Sequence, residues 1–149
     1  MTVPPLLKIF YVSRCVPSTD VTMVRGIVGR SQMMNRRADI TGILAYTGHH
    51  FAQVLEGQAA DLDALMRHIE ADRRHEDVRV VMRLSDSSQR DFAAWSMHLL
   101  DSPELEDDIV QLMAGEADAG GALATRTLER IAAMVRWHHA SELGPPPTR

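Results

Sequence analysis

The sequence predicts an α+β domain, in which a mixed sheet of five strands carries two helices on one face and two more helices follow towards the C-terminus. Two observations support this class. Short apolar runs bounded by turn residues alternate with segments whose apolar residues recur at helical spacing, in the order β-α-β-β-α-β-β. The chain has 149 residues, 45% of them hydrophobic, which is enough for one domain with its own core.

The N-terminal part of the chain predicts a strand and then a helix. The strand covers residues 6–13 and puts Tyr11 on its more apolar face, where the phenol hydroxyl requires a partner. Residues 17–20 offer a turn and N-caps for the helix. The helix has apolar residues at helical spacing: Val21, Val24, Ile27, Val28 and Met34. One of its stripes, at spacing i, i+4, i+8, consists of Ile27, Ser31 and Asn35.

Residues 40–46 and 50–57 predict the second and third strands, which residues 47–49 join as a hairpin. The third strand places Gln53 between two large apolar residues on the same face, Phe51 and Leu55. A buried amide without hydrogen-bond partners costs about 1–3 kcal/mol. Gln53 therefore needs a partner, which is either a backbone group or water at a solvated edge, or a polar ligand inside the fold.

The next segments predict the second helix and the last two strands. Asp61 is expected to cap the helix, whose apolar stripe is Leu62, Leu65, Met66 and Ile69, and His68 and Asp72 lie one turn apart. The fourth strand, residues 78–84, is expected to place four apolar residues on one face: Val78, Val80, Met82 and Leu84. The fifth, residues 92–100, is expected to do the same with Ala93, Trp95, Met97 and Leu99.

Two C-terminal helices complete the predicted fold. Ser102 and Pro103 suit the N-terminus of a helix that ends near Gly115. A longer helix follows the glycine pair at 120–121 and carries Leu128, Ile131, Val135 and His138 on one face. These helices are expected to cover the second face of the sheet or to form an oligomer interface. The predicted division is a domain at residues 5–100, a helical extension at 101–141 and a disordered tail at 142–149.

Composition and charge exclude several classes of protein. The net charge of −4 and the lack of a basic cluster argue against nucleic acid as a partner. No apolar run approaches the roughly 20 residues of a membrane span, and the first residues do not form a secretion signal. The single cysteine, Cys15, excludes an internal disulfide and fits a reducing compartment, so we expect a cytoplasmic protein.

Common catalytic and metal-binding motifs are also absent. The sequence has no GxGxxG, no P-loop, no HExxH and no spaced cysteine pair. Two adjacent histidine pairs, His49-His50 and His138-His139, are interpreted as surface residues, so no metal site is expected. Cys15 lacks a sequence-adjacent base that would activate it as a thiolate. These observations predict the fold and single out a few polar residues, but they do not identify a ligand.

Six segments of the chain together resemble the BLUF family, blue-light sensors that bind FAD. They occur in family order at compatible spacing: residues 9–14, 31–35, 40–46, 51–57, 69–75 and 90–97. The resemblance covers roughly residues 6–100 and implies a ferredoxin-like fold with the flavin ring between the two helices. This fold agrees with the element order read from the apolar pattern.

The resemblance implies a role for particular side chains. Tyr11 and Gln53 would be the photoactive pair, with Met97, Trp95 and Ser31 close by. The residues that would hold the flavin are Ile27, Ser31, Asn35, Gln53, His68, Ile69, Asp72, Arg74 and His75. Among them, Asn35 would bond the polar N3/O4 edge of the ring, and Ile27 and Ile69 would sandwich it. Met34 departs from the family pattern, because many relatives place a polar Asn or His there.

The resemblance also implies a mechanism and an output. Tyr11 would give an electron to the excited flavin while its proton moves through Gln53, and the rearranged amide would strengthen a hydrogen bond to O4 and shift absorption to the red. The signal would pass through the strand of Trp95 and Met97 to the C-terminal helices and an effector protein of unknown identity. The chain would act as a short stand-alone sensor and homo-oligomer, not as an enzyme, with FAD as cofactor and FMN as the alternative.

Two other functions remain as alternatives. A small ferredoxin-like enzyme of the acylphosphatase kind would need a phosphate-binding loop rich in glycine and arginine after the first strand. Residues 13–17 supply one arginine and no glycine, which disfavours that function. The other alternative is a flavin-binding domain without photochemistry, or a protein-interaction module. Blue-light sensing is the function that the sequence favours.

Overall fold

The computed structural model describes residues 6–87, 89–115 and 121–142 of the chain. The elements follow one another as β1 (Leu6–Cys15), α1 (Val21–Arg37), β2 (Thr41–Tyr46), β3 (His50–Gly57), α2 (Ala59–Ala71), β4 (His75–Ser87), β5 (His98–Asp101), a short 3-10 helix (Pro103–Leu105), α3 (Glu106–Ala114) and α4 (Ala122–Glu142). Most of the predicted tail and the predicted packing of His138 lie outside the described residues or side chains. The predicted α+β class and the order of its elements are confirmed.

The strands form one five-stranded mixed sheet in the order β4-β1-β3-β2-β5. β3 lies antiparallel between β1 and β2, and β4 is antiparallel to β1 at one edge. β5 is parallel to β2 at the other edge. This order places β1 and β3, the strands that carry Tyr11 and Gln53, in the middle of the sheet.

Each face of the sheet carries its own hydrophobic core. Alternation along β1 sends Ile9 and Tyr11 into the core beneath α1 and α2, and Phe10 and Val12 into the core beneath α3 and α4. Burying one large aliphatic or aromatic side chain stabilises a fold by about 1.5–3 kcal/mol. Because both faces are covered, the central strands are apolar along nearly their whole length, as the sequence indicated.

The two helices on the first face of the sheet, α1 and α2, differ in the residues that cap their N-termini. Asp20 caps α1 by accepting a hydrogen bond from the backbone N–H of Met23 at 2.9 Å, which the sequence predicted. Gln58 is the N-cap of α2, so the prediction that Asp61 caps this helix is wrong. Asp61 instead lies in the first turn, where a carboxylate interacts favourably with the helix dipole.

The prediction of a fifth strand from residue 92 is wrong, because β5 begins only at His98. The backbone N–H groups of Asp91 and Phe92 are bound by the carboxylate of Glu56, at 2.7 and 2.9 Å, rather than by a neighbouring strand. Residues 91–97 therefore form an irregular segment, although their apolar residues alternate as in a strand. As a consequence Trp95 and Met97 do not share a face: Met97 belongs to the first core and Trp95 packs against the second.

β4 also differs from its prediction. It is longer, and its pairing with β1 shifts register at several points. These irregularities break the alternation, so the four apolar residues do not share one face: Val78 packs on the first core and Met82 on the second. Val80 and Leu84 are 45% and 48% exposed, which is consistent with the position of β4 at the edge of the sheet.

The C-terminal helices cover the second face of the sheet, as expected. Ile109 of α3 and Ile131 and Val135 of α4 are buried in the second core. α3 ends at Gly115, whose φ of 65° is the left-handed conformation usual after a helix. His50, expected at the surface, is half-buried and hydrogen-bonds Glu106 of α3. Among the described helices, none combines the length and the apolar character that a membrane crossing requires.

Candidate functional site

A cavity of about 460 Å3 lies between α1, α2 and the first face of the sheet. This volume falls within the range of small-molecule sites, about 300–1,000 Å3. All nine residues that the sequence analysis proposed as cofactor contacts line it: Ile27, Ser31, Asn35, Gln53, His68, Ile69, Asp72, Arg74 and His75. Residues from two helices, a central strand and the α2–β4 corner thus meet in one place.

Gln53 connects the cavity to two buried side chains beneath it. Tyr11 lies directly opposite Gln53 in the β1–β3 pairing, and its hydroxyl donates a hydrogen bond to Oε1 of Gln53. At the other end of the amide, Nε2 of Gln53 donates to the sulfur of Met97 at 3.4 Å. Both ends of the Gln53 amide therefore have a hydrogen-bond partner, Tyr11 at the oxygen and Met97 at the nitrogen. The buried amide thus has the partners that the sequence analysis expected it to need.

The phenol of Tyr11 is held in its protonated form. Its ring is 0% exposed, and burial raises its pKa well above the ordinary value, with a smaller contribution from the negative charge of Asp72. A protonated phenol can donate a hydrogen bond, whereas a phenolate cannot. Tyr11 is therefore a hydrogen-bond donor to Gln53 at any physiological pH.

α1 contributes one wall of the cavity and also holds the irregular segment behind it. Ile27, Ser31 and Asn35 line the cavity along one helical stripe. Nδ2 of Asn35 donates to the backbone oxygen of Ser96 at 2.8 Å. Asn35 is buried, and its amide oxygen gives the cavity wall an acceptor suited to a ligand N–H group.

The corner between α2 and β4 carries the charged side of the cavity. Arg74 binds Asp72 through Nε at 3.0 Å and Nη2 at 2.6 Å, and this contact lowers the pKa of Asp72. His75 shares a hydrogen bond of 3.0 Å with the hydroxyl of Ser13. Burial lowers the pKa of His75, so its ring is neutral at pH 7. His68, in the last turn of α2, also lines the cavity and is exposed.

Three of the predicted photoactive residues do not line the cavity. Tyr11 and Met97 reach it only through Gln53. Trp95 packs against the second core with its ring 5.2 Å from that of His98. Sequence reasoning missed several lining residues, all at spacings that could have revealed them: Arg30 and Leu65 one helical turn from Ile27 and Ile69, Phe51 two positions before Gln53, and Leu44 opposite Gln53 in β2.

A cluster of buried polar side chains, which the sequence analysis did not predict, holds the start of the irregular segment (residues 91–97) in place. The carboxylate of Glu56 is 1% exposed and also accepts a hydrogen bond from Thr41 at 3.1 Å. The ammonium group of Lys8 lies 3.4 Å from the same carboxylate and also contacts Asp91. Each of these charges is paired, which is what burial of a charge requires.

In the described residues no group of three or more His, Cys, Asp or Glu side chains has the arrangement of a metal site.

Comparisons with known proteins agree with this geometry. The sequence model of a family described as sensors of blue-light using FAD (BLUF) matches residues 6–98. The blue light- and temperature-regulated antirepressor BluF of Escherichia coli (strain K12) is 31% identical over 107 residues, which are 71% of this chain and 26% of that protein. The chain thus spans about a quarter of the length of this relative.

Solved structures show the same fold. The dark-state structure of BlrB, a BLUF protein, has a TM-score of 0.68 and 32% identity, with 89% of this chain and 99% of that chain covered. A structure of Klebsiella pneumoniae BlrP1 with FMN and cyclic diGMP has a TM-score of 0.65 and 31% identity, with 86% and 34% covered. The fold and the cavity define an α+β domain with a cavity of small-molecule size between two helices and the sheet. The chain belongs to the BLUF family.

The residues that line the cavity fit the flavin that this family description implies. Ile27 on α1 and Ile69 on α2 offer apolar side chains from opposite helices, as a flat aromatic ring requires. The amides of Asn35 and Gln53 supply both donor and acceptor atoms for the polar edge of such a ring. The lining thus offers apolar side chains for the two faces of the ring and amide groups for its polar edge.

Proposed function

We propose that this chain senses blue light through a flavin bound non-covalently between α1 and α2. The observation that carries the proposal is the hydrogen-bonded series Tyr11, Gln53 and Met97, whose middle member, Gln53, lines the cavity. An oxidisable phenol, an amide with a donor and an acceptor end, and a ligand cavity are the parts that a light-driven hydrogen-bond rearrangement needs.

The proposed binding mode assigns the lining residues to two parts of the flavin. Asn35 and Gln53 contact the polar edge of the ring, and Ile27 and Ile69 contact its two faces. The α2–β4 corner, with Asp72 and Arg74 and the adjacent His68 and His75, contacts the remaining polar side and the ribityl chain. Ser31 supplies a hydroxyl beside Asn35.

When bound, the flavin supplies absorption of blue light and an excited state that is a strong oxidant. Tyr11 is the electron donor, because it is one hydrogen bond from the cavity and its phenol stays protonated. Loss of an electron makes a phenol strongly acidic, so its proton moves along the existing hydrogen bond to Oε1 of Gln53. Return of the electron and the proton restores Tyr11 but leaves the Gln53 amide rotated or tautomerised, with a donor directed to the cavity and a red-shifted spectrum. No substrate is consumed, so the activity is sensory rather than enzymatic.

FAD is the proposed cofactor. The family description names FAD, and the Klebsiella pneumoniae BlrP1 structure was obtained with FMN. Both molecules carry the same ring and ribityl phosphate, so the lining residues described above would serve either. FMN is accordingly the alternative cofactor, and extraction of the bound flavin from the purified protein distinguishes the two.

The proposed output is a displacement of residues 95–97 that reaches α3 and α4 and alters contact with an effector protein or with a second copy of the chain. Trp95 packs against the core beneath these helices, whereas Met97 contacts Gln53, so this segment joins the two faces of the sheet. The division into a sensor at residues 5–100 and a helical extension at 101–141, and a cytoplasmic location, belong to the same proposal. Equal hydrogen exchange in dark and light over residues 95–137 would exclude this route.

The decisive test is the absorption spectrum of the purified protein. We expect a yellow protein whose flavin band shifts to the red in blue light and recovers in the dark. Tyr11→Phe and Gln53→Leu should each abolish the shift while flavin stays bound, because either change removes the hydrogen bond between the two residues. Tyr46→Phe is the matched control, since Tyr46 is the other buried tyrosine of the same core and bonds Thr19 instead.

Two outcomes would contradict the proposal. A protein that neither contains flavin nor binds added FAD would refute flavin binding altogether. A reversible shift that persists in Tyr11→Phe or Gln53→Leu would refute the role assigned to that residue. The phosphatase alternative gains no support from Arg14, because this arginine lies within β1 rather than in the loop after it and is ion-paired with Asp77 and Glu76 of β4.

A further inference from the structure

Two amides of α1 hold two successive carbonyl groups of the irregular segment. Asn35 donates to the backbone oxygen of Ser96 at 2.8 Å, and Nε2 of Gln32, one turn earlier on α1, donates to the backbone oxygen of Met97 at 2.9 Å. Gln32 is half-buried and does not line the cavity. Its contact with the residue beneath Gln53 has no role in the function proposed above.

We propose that Gln32 is a positioning residue of the photochemical site, which sets where the Met97 sulfur stands beneath Gln53. This inference rests on the proposed function and deepens it. Gln32 touches neither Tyr11 nor Gln53 through any hydrogen bond of the described structure, so it acts only through Met97.

Met97 is the last residue of the irregular segment and lies directly before β5. Residues 91–97 precede β5 and are not part of a strand, whereas His98, the next residue, already pairs with Ile43 of β2. The bonds that hold the irregular segment next to Met97 include the Gln32 and Asn35 bonds and the bond from the Gly42 N–H to the Trp95 oxygen at 3.1 Å. Loss of one of them leaves the position of Met97 substantially less determined.

Gln32 differs from Asn35 in one respect that matters for the photocycle. Asn35 lines the cavity, so its amide is shared between Ser96 and whatever occupies the cavity. Gln32 does not line the cavity, so its bond to Met97 involves no group that contacts a ligand there. Gln32 therefore restrains Met97 without contact to the ligand, whereas Asn35, which holds Ser96, borders the ligand as well.

Without the Gln32 bond, the backbone of Met97 is held less firmly, so its sulfur, although buried in the first core, is a less precisely placed acceptor for Nε2 of Gln53. The dark orientation of the amide, which uses that acceptor, then loses stability relative to the light orientation. We expect slower return to the dark spectrum, by about two- to tenfold, which corresponds to the net loss of one hydrogen bond. The amplitude of the red shift should fall as well, because part of the protein no longer starts from the dark orientation.

The test compares dark recovery in four proteins with their flavin bound. Gln32→Glu keeps the size of the side chain but replaces the N–H donor with an acceptor, so recovery should slow and the shift should shrink. Gln32→Arg restores an N–H donor on a helix-compatible side chain and should recover close to the wild-type rate. Arg36→Ala is the control for a change on the exposed face of α1.

Thermal stability and flavin content are measured on the same samples. A merely structural role would lower both without changing the recovery rate of the folded, flavin-loaded fraction. Wild-type recovery rate and amplitude in Gln32→Glu would overturn the positioning role while leaving the proposed function intact. Absence of any red shift in the wild-type protein would instead overturn the proposed function, and the positioning role with it.

Discussion

Glu56→Gln should destabilise this fold strongly, although the two side chains are nearly the same size. The Glu56 carboxylate is buried and accepts hydrogen bonds from the backbone N–H groups of Asp91 and Phe92 and from the hydroxyl of Thr41, with the Lys8 ammonium 3.4 Å away. Glu56→Gln keeps the shape but turns one accepting oxygen into an NH2 group that faces an N–H donor. It also removes the charge that partners Lys8.

The expected cost follows from these contacts. A hydrogen bond to a charged group contributes about 1.5–3 kcal/mol, and removal of one partner of a buried ion pair costs about 3–5 kcal/mol. Lys8 also contacts Asp91 and so keeps one carboxylate, which puts the expected loss at the lower end of the second range. We therefore expect Glu56→Gln to lower the free energy of unfolding by about 3 kcal/mol, a large part of the typical 5–15 kcal/mol.

Urea denaturation measures this change. With a slope of about 1–3 kcal/mol per molar urea, the midpoint should fall by about 1–3 M. Glu70→Gln is the matched control, because Glu70 lies exposed at the end of α2 and its replacement should leave the midpoint nearly unchanged. A Glu56→Gln protein within about 0.5 kcal/mol of wild type, the usual scatter for surface substitutions, would refute the view that this carboxylate fastens the irregular segment.

Two further predictions concern pH and the end of α3. Burial lowers the pKa of His75, so the unfolded chain takes up a proton at this side chain more readily than the folded protein does. The free energy of unfolding should therefore fall as the pH drops below about 6.5. Between pH 7.5 and 5.5 this fall should be smaller in His75→Gln than in the wild-type protein, and an equal fall in both would contradict the prediction. Gly115→Ala should lower the free energy of unfolding by about 1 kcal/mol, because Gly115 has a φ of 65° and a Cβ there would press on Arg79. Gly26→Ala, inside α1 with nothing near its Cβ, is the control and should stabilise the protein, so a loss of equal size in both variants would exclude the conformational explanation.

The central strands were predictable because their chemistry is local. In β1 and β3 a side-chain period of two assigns Tyr11 and Gln53 to a face, and both faces are buried as the apolar runs indicated. The helical stripe of Ile27, Ser31 and Asn35 was equally local, because residues at i, i+4 and i+8 lie on one side of any α-helix. These assignments needed no knowledge of what the elements pack against.

The segment before β5 was not predictable by the same means. Its apolar residues alternate as in a strand, but a strand also needs a neighbour that satisfies its backbone N–H and C=O groups. Here the side chains of Glu56, Gln32 and Asn35 satisfy several of them, from positions 35 to 65 residues away in the chain. Trp95 was therefore assigned to the wrong face of the sheet, and the hydrogen bond from Gln32 to Met97 was not predicted.

The sequence by itself determined the fold class, the order of the elements, the faces of the central strands and the residues that gather in the cavity. Each of these follows from periodicity, from turn and cap chemistry, or from a pattern of residues that resembles a family. Only the tertiary structure decided that Tyr11 and Met97 meet at opposite ends of the Gln53 amide, and that Glu56 and Gln32 fasten the segment carrying Met97. The physical reason is that a hydrogen bond depends on distance and direction between groups far apart in the chain, and no local pattern encodes either.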